Sequence, residues 1–208
     1  MDLTWPAVTV TLGLILAYEV AALVMMRRMP GTFARSAHAE LRGQWFDAVS
    51  AQKGSEILAV QTLRNALMSA TMLASTSALA LMATVSLAAP SLRDGLPQVP
   101  ARLVLELALL SLLFTSLVAS VMAVRFYNHA GFVGGFPVDA PGRKRWHSAG
   151  RTYVRKAGVY YSIGLRHIVL VFPVVSSMLA PLAGPIAAIL VIAALLYSDK
   201  VVGSSDEA

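Results

Sequence analysis

Four long apolar stretches constrain this chain more than any other feature of its sequence. They run from Trp5 to Met26, Asn65 to Ala89, Leu103 to Val124 and Val159 to Tyr197. A helix needs roughly 20 predominantly apolar residues to cross the hydrocarbon core of a bilayer, and each stretch is long enough. The 208-residue chain is also 57% hydrophobic and only 13% charged. We therefore predict an integral membrane protein in which residues 1–208 form a single domain.

The last apolar stretch is too long for one crossing, since it would extend about 58 Å as a single helix. Near its middle, the segment from Ala180 to Pro185 has the proline and glycine content of a turn. We therefore predict an all-α, polytopic transmembrane helical bundle with four to five membrane segments. The favoured version has five, at about residues 5–26, 65–89, 103–124, 159–179 and 185–198. The alternative has four full spans and one short re-entrant or interfacial helix.

Basic residues are concentrated in two of the connecting segments. Residues 27–64 contain six Lys or Arg and residues 125–158 contain seven, whereas the connection between spans two and three has only Arg93 and Arg102. The positive-inside rule places both basic segments in the cytoplasm and the N-terminus outside, as expected in a bacterial inner membrane. We attribute the net charge of +6 to this topology and to contact with anionic lipid headgroups, not to nucleic acid.

The first basic segment has the pattern of an amphipathic helix. Between His38 and Val49, the side chains of Leu41, Trp45 and Phe46 fall on one helical face together with Val49. Aromatic residues opposite charged ones are typical of a helix that lies in the membrane interface. We therefore add cytoplasmic interfacial helices to the predicted bundle. Gly54 and Ser55 then begin a helix that runs into span two.

Small and hydroxyl side chains recur every four residues in spans two and three. The two series are Ala66, Ala70, Ala74 and Ala78, and Ser111, Thr115, Ala119 and Ala123. Small residues let helices approach closely in lipid, so we expect them at helix interfaces, including those of a homo-oligomer. Hydroxyls in a span either bond to carbonyls of their own helix or line a polar path. The pore-lining candidates are Thr71, Ser75, Ser111 and Thr115.

Ionisable and amide side chains gather near the predicted cytoplasmic ends of the spans. The candidates for a ligand site or an ion path are Glu19, Arg64, Asn65, Arg125, Asn128, His129, Arg166 and His167. Ionisable groups in lipid are costly, so they usually pair or line a cavity. Glu19 is expected to pair with Arg166, Arg64 or Arg125. Such a pair would fix the helix register, or would belong to a binding site at the inner mouth of the bundle.

Three motifs resemble those of a known family. They are Val60-Gln61-Thr62-Leu63-Arg64-Asn65, Arg125-Phe126-Tyr127-Asn128-His129-Ala130-Gly131-Phe132, and Gly164-Leu165-Arg166 leading to Phe172-Pro173. In this order they resemble the domain-of-unknown-function 599 family, multi-pass membrane proteins of bacteria and plants. The resemblance implies a membrane fold over nearly the whole chain and brings no established activity. Ser176 and Ser177 stand where the family pattern has a bulky aromatic patch.

Function is the least constrained property. The leading prediction is a channel or small-solute permease that works as a homo-oligomer, because five short segments cannot easily enclose a pore alone. The alternative is a non-transporting module that binds anionic lipid or serves as an accessory subunit of a membrane complex. An enzyme acting on a lipid-phase substrate comes third. We expect no catalytic residue, cofactor or metal site, since the chain has no cysteine and its four histidines are scattered.

Overall fold

The computed structural model describes residues 4–28, 34–93 and 100–199. Within these ranges the regular structure is entirely helical, which confirms the predicted all-α bundle. The six helices are α1 (Thr4–Arg28), α2 (Ala34–Ala51), α3 (Glu56–Arg93), α4 (Ala101–Gly134), α5 (Pro141–Leu179) and α6 (Ala183–Ser198). Residues 29–33 and 94–99, in two of the predicted connections, and the polar tail from residue 200 lie outside the described residues.

Three of the helices are much longer than the membrane spans predicted for them. With 38, 34 and 39 residues, α3, α4 and α5 extend about 57, 51 and 58 Å. The hydrocarbon core of a bilayer is only about 30 Å thick. In the described part of the chain, α1, α3, α4 and α5 are long and apolar enough to cross a membrane, and α6 is a shorter apolar helix.

The two ends of the bundle differ in charge. One end is formed by α2 and by residues 56–64, 125–134 and 141–158, and we call it the basic end. We call the opposite end the far end. At the far end, α5 stops at Leu179 and α6 begins at Ala183, because Ala180 is extended and its amide closes the last turn of α5. The break therefore falls in the Ala180–Pro185 segment, and α6 runs back along α5 toward the basic end.

The apolar core has two parts. The far-end cluster joins α1, α4 and α5 through Val8, Ile15, Tyr18, Ala101, Leu105, Leu109, Leu113, Leu170 and Val174. The basic-end cluster joins α2, α3, α4 and α5 through Phe46, Leu63, Ala70, Ala123, Tyr127, Ala130, Val133, Val154 and Ala157. The long helices α4 and α5 contribute to both clusters, so the same two helices connect the two parts of the core.

Buried serines join α3, α4 and α5 between the two clusters. The hydroxyls of Ser77 and Ser116 lie 2.8 Å apart, and Ser116 donates to the carbonyl of Gly164 at 2.8 Å. Ala70, Ala119 and Ala123 are also buried within the chain. The expectation that the small-residue series forms interfaces between copies is therefore wrong for these three residues. Their lack of bulk instead allows α3 and α4 of one chain to approach closely.

Helix α2 docks on α5 at the basic end. Phe46 is fully buried, and its ring fills the space above Gly150, where a Cβ would come within 2.6 Å of it. Ion pairs flank this contact: Arg151 binds Glu40 at 2.7 Å and Asp47 at 3.0 Å. Arg155 also reaches Glu40 at 3.5 Å, and His147 lies 3.3 Å from Asp47.

The predicted apolar face of α2 is only partly correct. Phe46 and Val49 are buried, but Leu41 is 61% exposed. The buried face instead runs through Ala39 and Phe46. Leu41 lies off this contact because α2 docks on another helix along a narrower stripe than its sequence pattern indicates.

A tight turn joins α2 to α3. Gly54 adopts a φ of 84°, a conformation that other residues rarely reach. Ser55 then donates to the carbonyl of Gln52 at 2.7 Å and also to that of Val49. Lys53 forms an exposed ion pair with Asp139, in which Nζ lies 2.5 Å from Oδ2. The hydrogen bond from Lys53 to Asp139 and the negative charge of Asp139 raise the pKa of Lys53 above its ordinary value.

Candidate functional site

Arg166 lies in a buried polar cluster where α1, α5 and α6 meet. The side chains of Arg166 and Asp199 are only 9% and 8% exposed. Arg166 Nη1 donates to Asp199 Oδ2 at 2.6 Å and to the Tyr18 hydroxyl at 2.7 Å, and Nη2 donates to Asp199 Oδ1. Nε donates to Ser162 Oγ at 3.2 Å. Asp199 follows the last residue of α6, where the carbonyls of a helix terminus also favour a cation.

The expected pairing of Glu19 is wrong within the described residues. Arg166 pairs with Asp199, because the return of α6 from the far end carries Asp199 to the level of Arg166. Neither Arg64 nor Arg125 has a carboxylate within ion-pair distance in the described part of the chain. Glu19 is half-buried, and its Oε1 is buried with no hydrogen-bond partner among the residues described.

Two of the predicted site residues meet in an open groove between α3 and α4. Arg64 and Asn128 line this groove of about 380 Å³, together with the buried Tyr127. All of its lining belongs to two of the motifs that carry the family resemblance or lies within one turn of them: Val60, Leu63, Arg64, Leu67, Tyr127, Asn128, Gly131 and Phe132. The structure thus brings these two motifs together and leaves Arg166 in a separate cluster.

The remaining charged and amide candidates do not converge. Asn65, Arg125 and His129 are exposed. The ring of His129 lies 5.3 Å from that of Tyr153, and Nδ1 of His167 lies 2.9 Å from the carbonyl oxygen of Ile163 on its own helix. The eight predicted residues are therefore spread over several surfaces.

The pore-lining candidates lie mainly on the outside of the bundle. Thr71, Ser75 and Ser111 are exposed and Thr115 is half-buried. The hydroxyl of Thr71 donates to the carbonyl of Leu67 at 2.9 Å, that of Ser111 to Leu107 at 2.8 Å and that of Thr115 to Ser111 at 2.8 Å. These hydroxyls are satisfied by their own helices, and any path that they line would lie outside the single chain.

A cavity of about 350 Å³ lies beneath α2 at the basic end. Four helices form its walls, with Leu41, Arg42, Trp45, Thr62, Leu63, Ala66, Tyr127 and Val154. We call it the α2–α3 cavity. Its walls are mostly apolar, and its volume falls in the range of small-molecule sites. Arg42 is the one side chain of this lining that carries a charge, and it forms no hydrogen bond or ion pair with any residue in the described ranges.

A second, smaller cavity lies on the other side of Arg42. The α2–α5 cavity has a volume of about 40 Å³ and is lined by His38, Arg42, Gly158, Val159, Ser162 and Arg166. Arg42 reaches it because residue 158 is glycine: a Cβ there would come within 2.5 Å of the Arg42 Cζ atom. The two cavities therefore share the Arg42 side chain, and its guanidinium packs against Gly158 beside the smaller one.

A larger groove follows the outer face of α5. It has a volume of about 510 Å³ and is lined by Ala39, Thr152, Arg155, Lys156, Val159, Tyr160 and Ile163. Arg155 is already engaged by Glu40, and nearly all of the lining comes from one helix. The α2–α3 cavity is the better candidate site because four helices contribute to its lining and Arg42 has no ion-pair partner among the described residues.

The cavities beneath α2 combine apolar surface with fixed positive charge, an arrangement that can hold the two parts of an anionic amphiphile. Sequence reasoning found Arg166 but missed Arg42, which it counted only as a topology signal. It also missed Arg143, which is 2% exposed and donates to the carbonyl of Val133 at 2.6 Å and to Ser50 Oγ at 2.9 Å. No local pattern distinguishes these arginines, since both acquire their environment when α2 docks.

Comparison with curated proteins and with solved structures finds no match. A family model matches residues 6–203 and is described as a protein of unknown function, DUF599. This match covers nearly the whole chain and confirms the resemblance indicated by the three motifs. The chain is therefore a member of the DUF599 family.

Proposed function

We propose that this protein is a membrane module that binds an anionic amphiphile from the bilayer. The observation that carries the proposal is the α2–α3 cavity, a mostly apolar space lined in part by Arg42, whose side chain has no ion-pair partner among the described residues. An apolar cavity favours a hydrocarbon or ring system, and a guanidinium favours the anionic group attached to it. The DUF599 match supplies a family without an activity, so the site is the basis of the proposal.

The charge distribution supports entry from the cytoplasmic leaflet. The basic end carries most of the Lys and Arg residues, and the positive-inside rule assigns that end to the cytoplasm, with the N-terminus outside. Anionic lipids are enriched in the cytoplasmic leaflet and attract basic segments. Trp45 lies at the cavity, and tryptophan is typical of headgroup depth. The ligand would thus be an inner-leaflet anion with its apolar part beneath α2.

Filling the cavity tests the proposal. Ala66 is half-buried and lines the cavity on α3, so Ala66→Trp places a large ring in the space the ligand would occupy. The matched control is Ala83→Trp, because Ala83 is an exposed residue of the same helix. Native mass spectrometry of protein extracted gently from its own membranes measures the bound molecules.

We expect wild type and Ala83→Trp to retain the same anionic amphiphile and Ala66→Trp to lose it. If wild type retains no defined amphiphile, or if Ala66→Trp retains as much as the control, the proposal is wrong. A co-purifying foreign subunit in place of a lipid would favour the accessory-subunit alternative.

A homo-oligomeric channel or small-solute permease remains the second candidate function. The observation that favours it is the exposed hydroxyl series on α3 and α4, including Thr71, Ser75 and Ser111. Such a series can face water if several copies surround a path. Ion flux in proteoliposomes tests this candidate. Conductance no greater than that of protein-free vesicles would exclude a channel for the ions used.

A further inference from the structure

We infer that the α2–α5 cavity is a binding site for a phosphate-type oxyanion. This inference goes beyond the proposed function, because it concerns a different cavity and does not require an apolar ligand. The cavity lies between α2 and α5, with Arg42 and His38 on the first helix and Ser162 and Arg166 on the second. A phosphorylated headgroup and a free phosphate share the chemistry that this site recognises.

The charge balance of the cavity is positive. Arg166 has Asp199 as its carboxylate partner, whereas Arg42 has no carboxylate partner among the described residues. Glu40, on the same helix as Arg42, is engaged by Arg151 and Arg155. Glu19 forms no ion pair with a described cation and does not line the cavity. The Arg42 charge is therefore left for a ligand.

The hydrogen-bond donors of the cavity also match an oxyanion. A guanidinium presents paired N–H groups that bind two oxygens of a phosphate or carboxylate at once. Ser162 Oγ accepts from Arg166 Nε at 3.2 Å, so its own hydroxyl proton is left to donate. The ring nitrogens of His38 supply a further donor. Three different side chains can therefore donate to one bound group.

The size of the cavity selects a headgroup and excludes a chain. One water molecule needs about 10–15 Å³ of this kind of space, so about 40 Å³ accommodates roughly three oxygen-sized groups. The terminal oxygens of a phosphate match that number, whereas a hydrocarbon chain would not fit. An attached apolar group would have to leave the cavity, and the α2–α3 cavity on the other side of Arg42 offers space for it.

Gly158 provides a selective way to disturb the site. A Cβ at this position would come within 2.5 Å of Arg42 Cζ and 2.6 Å of Nε. The obstructed atoms form the far end of a flexible side chain, so Gly158→Ala moves the guanidinium without removing its charge. Alanine is also favoured over glycine inside a helix, and we therefore expect the variant to fold.

The experiment measures equilibrium binding of radiolabelled inorganic phosphate to the full chain in a phosphate-free detergent. We compare wild type, Arg42→Gln and Gly158→Ala with Lys144→Gln. Lys144 is exposed and makes no ion pair with a described residue, so its variant removes one charge from the basic end outside the cavity. Circular dichroism and size-exclusion chromatography confirm that each variant is folded.

We expect saturable binding to wild type and Lys144→Gln and binding weaker by about tenfold or more in the other two variants. A charge-assisted hydrogen bond has about that effect on affinity. Saturable binding of equal affinity in wild type, Arg42→Gln and Gly158→Ala would overturn the inference.

A second arm distinguishes the source of the oxyanion. Each variant is reconstituted in phosphatidylcholine vesicles that contain a minor share of phosphatidic acid, and the phosphatidic acid retained on re-extraction is measured. Loss of retention in Gly158→Ala without binding of free phosphate identifies a lipid headgroup as the ligand. Binding of free phosphate alone identifies a soluble anion. Absence of both would refute the site.

Discussion

Removal of the carboxylate of Asp199 should destabilise the bundle strongly. In Asp199→Asn the guanidinium of Arg166 stays buried, with its bonds to Tyr18 and Ser162 but without a counter-charge. Both side chains of the pair are less than a tenth exposed, so solvent screens the interaction little. Breaking a buried ion pair by removing one partner typically costs about 3–5 kcal/mol, and we expect a loss in that range.

The double-mutant cycle shows how much of the loss comes from the pair itself. Arg166→Gln alone leaves Asp199 as an uncompensated buried carboxylate and should cost a similar amount. In the double variant Arg166→Gln/Asp199→Asn neither charge of this pair remains, so its cost should fall below the sum of the single costs by about 2–3 kcal/mol. Reversible unfolding by titration with a denaturing detergent in mixed micelles measures each free energy.

Two controls accompany the cycle. Tyr18→Phe removes one hydrogen bond to the same guanidinium, and should cost about 1.5–3 kcal/mol. Asp139→Asn removes the carboxylate of an exposed ion pair with Lys53, and should cause no measurable loss. If Asp199→Asn costs no more than Asp139→Asn, or if the coupling in the cycle is near zero, then Arg166 and Asp199 are not a buried pair and the reasoning fails.

Three further substitutions test the packing. Gly164→Ala should destabilise by about 1–2 kcal/mol, because its Cβ would lie 2.6 Å from Ser120 Oγ and 3.2 Å from a backbone carbonyl. Its control Gly131→Ala, with open space around the new Cβ, should be neutral or stabilising. Equal melting temperatures of the two variants would contradict this prediction. Phe46→Ala should cost about 3–5 kcal/mol, since the ring is fully buried, and intact α2 in hydrogen exchange would count against it. Ser116→Ala should cost about 1–2 kcal/mol in the same unfolding titration, and an unchanged midpoint would show that its two bonds at 2.8 Å contribute little.

The fold class could be predicted from the sequence because a helix that crosses a bilayer needs a long apolar stretch, which local composition reveals. Long apolar stretches report spans directly, and the segment from Ala180 to Pro185 contains the break between α5 and α6. The helix lengths were less accessible. The start of α3 at Glu56 was predicted from Gly54 and Ser55. Span three was predicted at 103–124, whereas α4 covers Ala101–Gly134, because helices that pack against one another continue beyond the apolar stretch.

The candidate site was only partly predictable. A charge within an apolar stretch identified Arg166, but its partner Asp199 is 33 residues away and becomes a neighbour only through the return of α6. Arg42 looked like any basic residue of a cytoplasmic segment. Its position depends on the docking of α2 and on the missing side chain of Gly158, and a single sequence records neither relation.

Because the far-end and basic-end clusters share the long helices α4 and α5, the protein can lose its structure in two steps. Helices α3, α4 and α5, about 51–58 Å long, exceed the roughly 30 Å thickness of the hydrocarbon core. Part of the bundle therefore lies in lipid and part of it lies in water. Where α2 docks around Phe46, outside the predicted spans, water drives burial through the hydrophobic effect, whereas lipid gives the far-end cluster only packing and hydrogen bonds. Urea should therefore disrupt packing around Phe46 in the basic-end cluster while the far-end cluster around Leu170 stays intact. The buried serines between the two clusters mark where such a half-unfolded state would divide.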